Sequence, residues 1–150
     1  MPPNKILHTD IVENLADLLK DGVDRNTTQV RVSTFGLVIH RDPLTTRVPE
    51  ITVFVRSQVV EQDGYIHSAP ELMVEVLSPA NTRPEREAKL KDYESLGVPE
   101  VWVISPEART VEVLLLKDSR LETTAVLRTG QLQPSHLSGV AVDIAAIWPK

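Results

Sequence analysis

Residues 71–105, ELMVEVLSPANTRPEREAKLKDYESLGVPEVWVIS, decide the fold. The run 71–77 is a compact apolar strand interrupted by one charge, Glu75. SPANTRP after it has loop composition. Residues 84–96 read as a helix, with Pro84 near its first turn and Gly97 just past its end. Residues 98–105 form the next strand. A strand, a helix and a strand in succession imply a crossover connection within a mixed sheet.

Outward from this core, residues 9–20 place Ile11, Val12, Leu15, Leu18 and Leu19 on one helical face, with Thr9 or Asp10 as cap and Gly22 as terminator. Residues 28–33, 36–40 and 47–56 are β-rich. Residues 57–69 read as a loop carrying the turn signal Asp63-Gly64. Downstream, 109–116 and 121–128 form a hairpin, and the tail suggests a short strand and a last helical turn. The expected class is α/β, a mixed β-sheet with flanking helices and a C-terminal β-hairpin, in one domain over residues 1–150. The apolar run 111–117 suggests a surface that covers a sheet or forms a homodimer.

Composition narrows the chemistry. The chain lacks cysteine, which excludes thiolate metal sites and a cysteine nucleophile. Nothing approaches the roughly 20 apolar residues of a membrane span, and the N-terminus lacks the apolar core of a signal peptide. No membrane partner and a cytoplasmic location are the expectations. A net charge of −5 gives no support to broad electrostatic binding of nucleic acid.

Three residues carry the chemical signal: Glu50 after Pro49 in an apolar strand, Glu75 between Val74 and Val76, and Lys89 on the following helix. A carboxylate in a buried strand is expensive unless paired or bound to a cation, and two neighbours repel. A divalent cation resolves both problems, and oxygen ligands suit Mg²⁺ or Mn²⁺. Lys89 would orient a water or stabilise charge on a phosphate. Each residue also has a plainer reading. Alternation lets Glu75 face solvent, and Lys89 suits an i,i+4 pair with Glu85. Glu85, Lys89 and Tyr93 share one helix face, either as a solvated stripe or as one wall of a cleft. His8, His40, His67 and His136 never stand at i,i+4 spacing, which argues against zinc; His8 and His40 remain candidates near the cleft. Ser78 lacks a Gly-x-Ser-x-Gly context, and no phosphate loop or dinucleotide fingerprint occurs.

Residues 70–113 resemble the signature of the Uma-two family of restriction-endonuclease-like proteins, in the PD-(D/E)XK nuclease superfamily. The matching features are Glu75-Val76-Leu77-Ser78-Pro79, Glu85, Lys89, Tyr93, Gly97-Val98, Glu100, Trp102 and Pro106, with the upstream Pro-Asp falling on Pro49-Glu50. The resemblance implies a restriction-endonuclease-like fold, catalytic and metal-binding acids Glu50 and Glu75, catalytic Lys89, an Mg²⁺ or Mn²⁺ cofactor, and DNA as substrate. Glu85, Tyr93 and His8 are supporting candidates. Glu50 stands where the family has Asp, and the family's usual N-terminal segment is absent, so an N-terminally shortened domain is expected. These departures motivate the alternative of a catalytically silent relative acting through binding or dimerisation.

Overall fold

A computed structural model describes residues 5–32 and 35–150, with the Lys5 side chain left aside. The chain runs α1 (Lys5–Gly22), β1 (Thr28–Val32), β2 (Gly36–Arg41), β3 (Leu44–Arg47), β4 (Ile51–Val55), β5 (Glu61–Gln62), β6 (Tyr65–Ile66), β7 (Leu72–Val76), α2 (Arg83–Leu96), β8 (Glu100–Ser105), β9 (Thr110–Lys117), β10 (Arg120–Leu127), β11 (Gln131–Leu132) and β12 (Val142–Asp143). Helix α1 begins before Thr9 and Asp10, so neither is its cap: the apolar face continues back to Leu7, which packs on the core.

A six-stranded mixed sheet forms the centre, in the order β1-β4-β7-β8-β9-β10. Strands β7 and β8 are parallel and joined by α2, while the other neighbours are antiparallel. Helix α1 covers one face, where Ile11, Leu15 and Leu19 meet Ile51, Val53, Val74, Val76, Trp102 and Ile104. Helix α2 lies on the other face, where Tyr93 joins Met73, Val101, Val103 and Leu114. All five residues of β7 are therefore buried, as expected of a strand in a doubly covered sheet. Burial on both faces accounts for part of the run 111–117: Val111 belongs to the α1-side core and Leu114 to the α2-side core.

Two further expectations need correction. Residues 47–56 are not one strand. The chain leaves β3 at Arg47, bends through Val48, Pro49 and Glu50, and enters β4 at Ile51. Pro49 has no N–H to give to a ladder and restricts the residue before it. The break lets β3 and β4 join different sheets. The segment 57–69 is not merely loop either. Asp63 and Gly64, at φ 55° and 81°, make the tight turn of a short β5–β6 hairpin. Strand β6 then pairs in parallel with β2, completing a four-stranded sheet β3-β2-β6-β5. Leu37, Ile39 and Ile66 of this second sheet pack in the α2-side core.

Helix α2 is held firmly at both ends. Thr82 accepts from the Glu85 N–H while the Glu85 carboxylate accepts from the Thr82 N–H, a reciprocal capping box. Gly97 closes the helix at φ 85°, a left-handed conformation costly for other residues. The direction of Lys89 and Tyr93 is thus fixed by local sequence.

Candidate active site

The site forms where the bend before β4 meets the end of β7. Ile51 pairs with Val74 in the antiparallel β4–β7 ladder. Extending that register by one residue sets Glu50 opposite Glu75. Glu75 shares the α2 face of the sheet with Met73, since side chains alternate along a strand. Alternation does not expose it, because α2 covers that face; Glu75 is only 8% exposed.

Each carboxylate oxygen has a protein partner. Tyr93 Oη donates to Glu75 Oε1 at 2.5 Å. Lys89 Nζ lies 3.8 Å from Glu75 Oε2. The Val76 backbone N–H donates to Glu50 Oε2, and His8 Nε2 pairs with Glu50 Oε1. The same His8 nitrogen reaches the Val76 carbonyl oxygen at 3.1 Å. An N–H on Nε2 serves both acceptors. Helix α1 thus supplies His8, α2 supplies Lys89 and Tyr93, β7 supplies Glu75 and the bend before β4 supplies Glu50.

Charge and burial act strongly here. Burial pushes the Glu75 carboxyl up to about 7, and Glu50 adds repulsion. The Tyr93 hydroxyl, the Lys89 ammonium and Arg47 oppose that rise. Burial and the adjacent Glu75 push the Tyr93 phenol well above its usual range, so it stays a donor. The hydrogen bond to Glu50 raises His8, against the opposing effect of its own burial. Buried acids shifted toward neutrality beside a lysine are a recurrent feature of catalytic sites.

A cavity of about 20 Å³ opens beside these groups, lined by Glu75, Lys89, Tyr93 and Arg86 among others. That volume suits a single water-sized occupant. Glu85 does not line it: its carboxylate is spent on the capping box, at the exposed start of α2. Lys89 pairs with Glu75 rather than with Glu85.

Two residues at the site escaped the sequence reading. Arg86 lines the cavity while paired with Glu112. Arg47, at the end of β3, binds Asp92 of α2 at 2.7 Å and acts electrostatically on both Glu75 and Tyr93. Arg86 was legible in principle, since it stands three residues before Lys89 on the same helix face. Arg47 left no local signal, because it arrives through tertiary folding. His40 takes no part in the contacts described at this site.

The donor set is all oxygen: two carboxylates and the nearby Val76 carbonyl. Among the described residues, no three His, Asp or Glu side chains cluster as a self-contained metal cage. A hard cation that keeps several waters, such as Mg²⁺, needs only one or two carboxylates. Carboxylate and carbonyl oxygens are the donors that such an ion takes.

Comparison with known proteins identifies the family and the fold. A family model described as "Putative restriction endonuclease", Uma2, matches residues 1–145. Among solved structures, one from Anabaena variabilis, described as "a putative nuclease belonging to DUF820", superposes with a TM-score of 0.75. It shares 21% identity over 93% of this chain and 79% of its own, a likeness of fold. No curated protein sequence matches the chain significantly. No helix among the described residues is long and apolar enough to cross a membrane.

Proposed function

Because this chain belongs to the Uma2 family, we propose that it is a metal-dependent endonuclease that hydrolyses a DNA phosphodiester at Glu50, Glu75 and Lys89. The observation that supports the reading is the Lys89 ammonium 3.8 Å from the buried Glu75 carboxylate, with Glu50 close enough to repel that acid. Glu50 and Glu75 would hold Mg²⁺ or Mn²⁺, with the Val76 carbonyl as a further oxygen. When bound, such an ion polarises a phosphoryl oxygen and acidifies water. Tyr93 fixes the Glu75 carboxylate, and His8 with the Val76 N–H fixes that of Glu50. Lys89, freed from Glu75 when a cation takes its charge, would stabilise negative charge developing on the phosphate.

Plasmid cleavage with Mg²⁺ or Mn²⁺, run beside Glu75→Ala, tests the reading. Nicking or linearisation by the wild type alone is expected. Equal cleavage by both proteins removes it.

One observation favours a second reading, a silent nuclease fold acting through binding. All four carboxylate oxygens already have partners within the protein. Calorimetric titration with Mn²⁺ separates the two. Heat that vanishes in Glu50→Ala and Glu75→Ala supports a metal site, and its absence in the wild type supports the silent form.

A further inference from the structure

Next to the catalytic cavity runs a larger groove of about 550 Å³, formed by the loop after β7, the first turn of α2 and the end of β8. It shares Leu77, Asn81 and Arg86 with that cavity, so the two adjoin. Its volume is within the roughly 300–1,000 Å³ usual for ligand clefts. We propose that this groove is a subsite for the DNA strand flanking the scissile phosphate, with Arg83 and Arg86 binding its backbone phosphate. The proposal rests on the nuclease reading for the identity of its ligand.

The groove presents an excess of donors in a chain of net charge −5. Asn81 turns Oδ1 toward the Ser78 N–H at 2.7 Å, which leaves its Nδ2 donating to nothing among the described residues. Ser105 Oγ accepts from the Ala108 N–H, so its own proton is free to donate. Glu107 is the acidic side chain on the wall, against two guanidinium groups. The capping box already uses the Thr82 and Glu85 amides at the start of α2, and Pro84 has none to offer.

Both arginines are held in ways that a phosphate can replace. Arg83 is 88% exposed and pairs with Glu87 one turn along the helix, an arrangement of little net worth. Arg86 pairs with Glu112, which keeps a second partner in the Thr123 hydroxyl, so turning Arg86 toward the groove does not strand that carboxylate. Guanidinium forks match phosphate oxygens in geometry as well as charge. Arg86 also borders the catalytic cavity, which aligns the subsite with the reacting phosphodiester.

The test is fluorescence anisotropy of a labelled DNA duplex with the full-length protein in Ca²⁺, across a salt series. Arg83→Glu is compared with Arg128→Glu, a charge-matched change at an exposed residue outside the groove wall. Arg83→Glu is expected to weaken binding about tenfold more than Arg128→Glu and to reduce the salt slope by about one. Equal affinities and slopes for the two variants overturn the subsite, as does failure of the wild type to bind duplex at low salt. Plasmid cleavage is scored in parallel. Cleavage with equal variant affinities leaves the nuclease reading standing and the groove refuted. Arg83-dependent binding without cleavage leaves the groove standing as a DNA-binding surface and refutes the nuclease reading.

Discussion

The Tyr93 hydroxyl donates to Glu75 Oε1 across 18 residues of chain, linking helix α2 to the strand that precedes it. The bond is buried, and it is the largest of the influences that hold down the Glu75 carboxyl against desolvation. Charge-assisted hydrogen bonds of this kind contribute about 1.5–3 kcal/mol.

Removing that donor should therefore act through Glu75 rather than through the fold. In Tyr93→Phe the ring still fills its place in the core, but the carboxylate loses its donor. Mn²⁺ affinity at pH 7 should fall roughly 10–100-fold. Raising the pH to about 8.5 should recover much of the loss, because it ionises Glu75 by another route. Titration at both pH values checks this. An equal loss at both would make Tyr93 a packing residue only.

The same carboxyl sets a pH dependence in the metal-free protein. Its folded value, about 7, lies above the 4.5 of an ordinary glutamate, which the unfolded chain keeps. Between these limits the folded state binds the extra proton, so stability declines as pH rises from about 4.5 to about 7. The full effect is on the order of 3 kcal/mol. Glu75→Gln lacks the titration, so the urea stability of the wild type minus that of the variant should fall across this window. A difference that is flat, or that rises with pH, contradicts the stated cost of burying the ionised acid.

Lys89 should separate chemistry from metal binding. Its ammonium lies 3.8 Å from Glu75 Oε2 and helps to keep that acid ionised. Lys89→Ala should be measured toward the alkaline end of the stable range, because loss of the ammonium raises the Glu75 carboxyl further. Mn²⁺ should still bind, while single-turnover cleavage of plasmid falls about 10²–10³-fold, as for other groups that stabilise charge in the transition state. Loss of metal binding together with cleavage would place Lys89 among the groups that assemble the site.

Local chemistry explains what could be read from the chain and what could not. Strand β7, helix α2 and strand β8 were legible because Pro84, Gly97 and the apolar runs each speak for their own position. Helical spacing correctly set Lys89 and Tyr93 on one face, and the structure brings both to Glu75. The same spacing misled at Glu85, because a first-turn side chain has nearby backbone N–H groups to satisfy. Two-residue strands such as β5 and β6 carry no period, so the second sheet was invisible, and with it Arg47. The apolar run around Glu50 reads as a strand, but Pro49 puts Glu50 at the bend between sheets.

Glu100 gives the last prediction, because it resembles a catalytic acid and is built as a structural one. It is 2% exposed, yet both its oxygens have neutral partners: Trp102 Nε1 donates at 2.7 Å, and the Ser135 backbone N–H donates at 2.8 Å. These bonds tie β8 to the segment that leads into the C-terminal core. In Glu100→Gln the amide nitrogen must face one of two N–H donors, since Gln keeps a single acceptor oxygen. The variant should lose about 1–3 kcal/mol of stability, the usual cost of leaving a buried donor unmade. Mn²⁺ affinity and the response of cleavage to pH should not change below the unfolding temperature. Urea denaturation paired with Mn²⁺ titration decides it: weakened metal binding with unchanged stability would move Glu100 from the scaffold into the site.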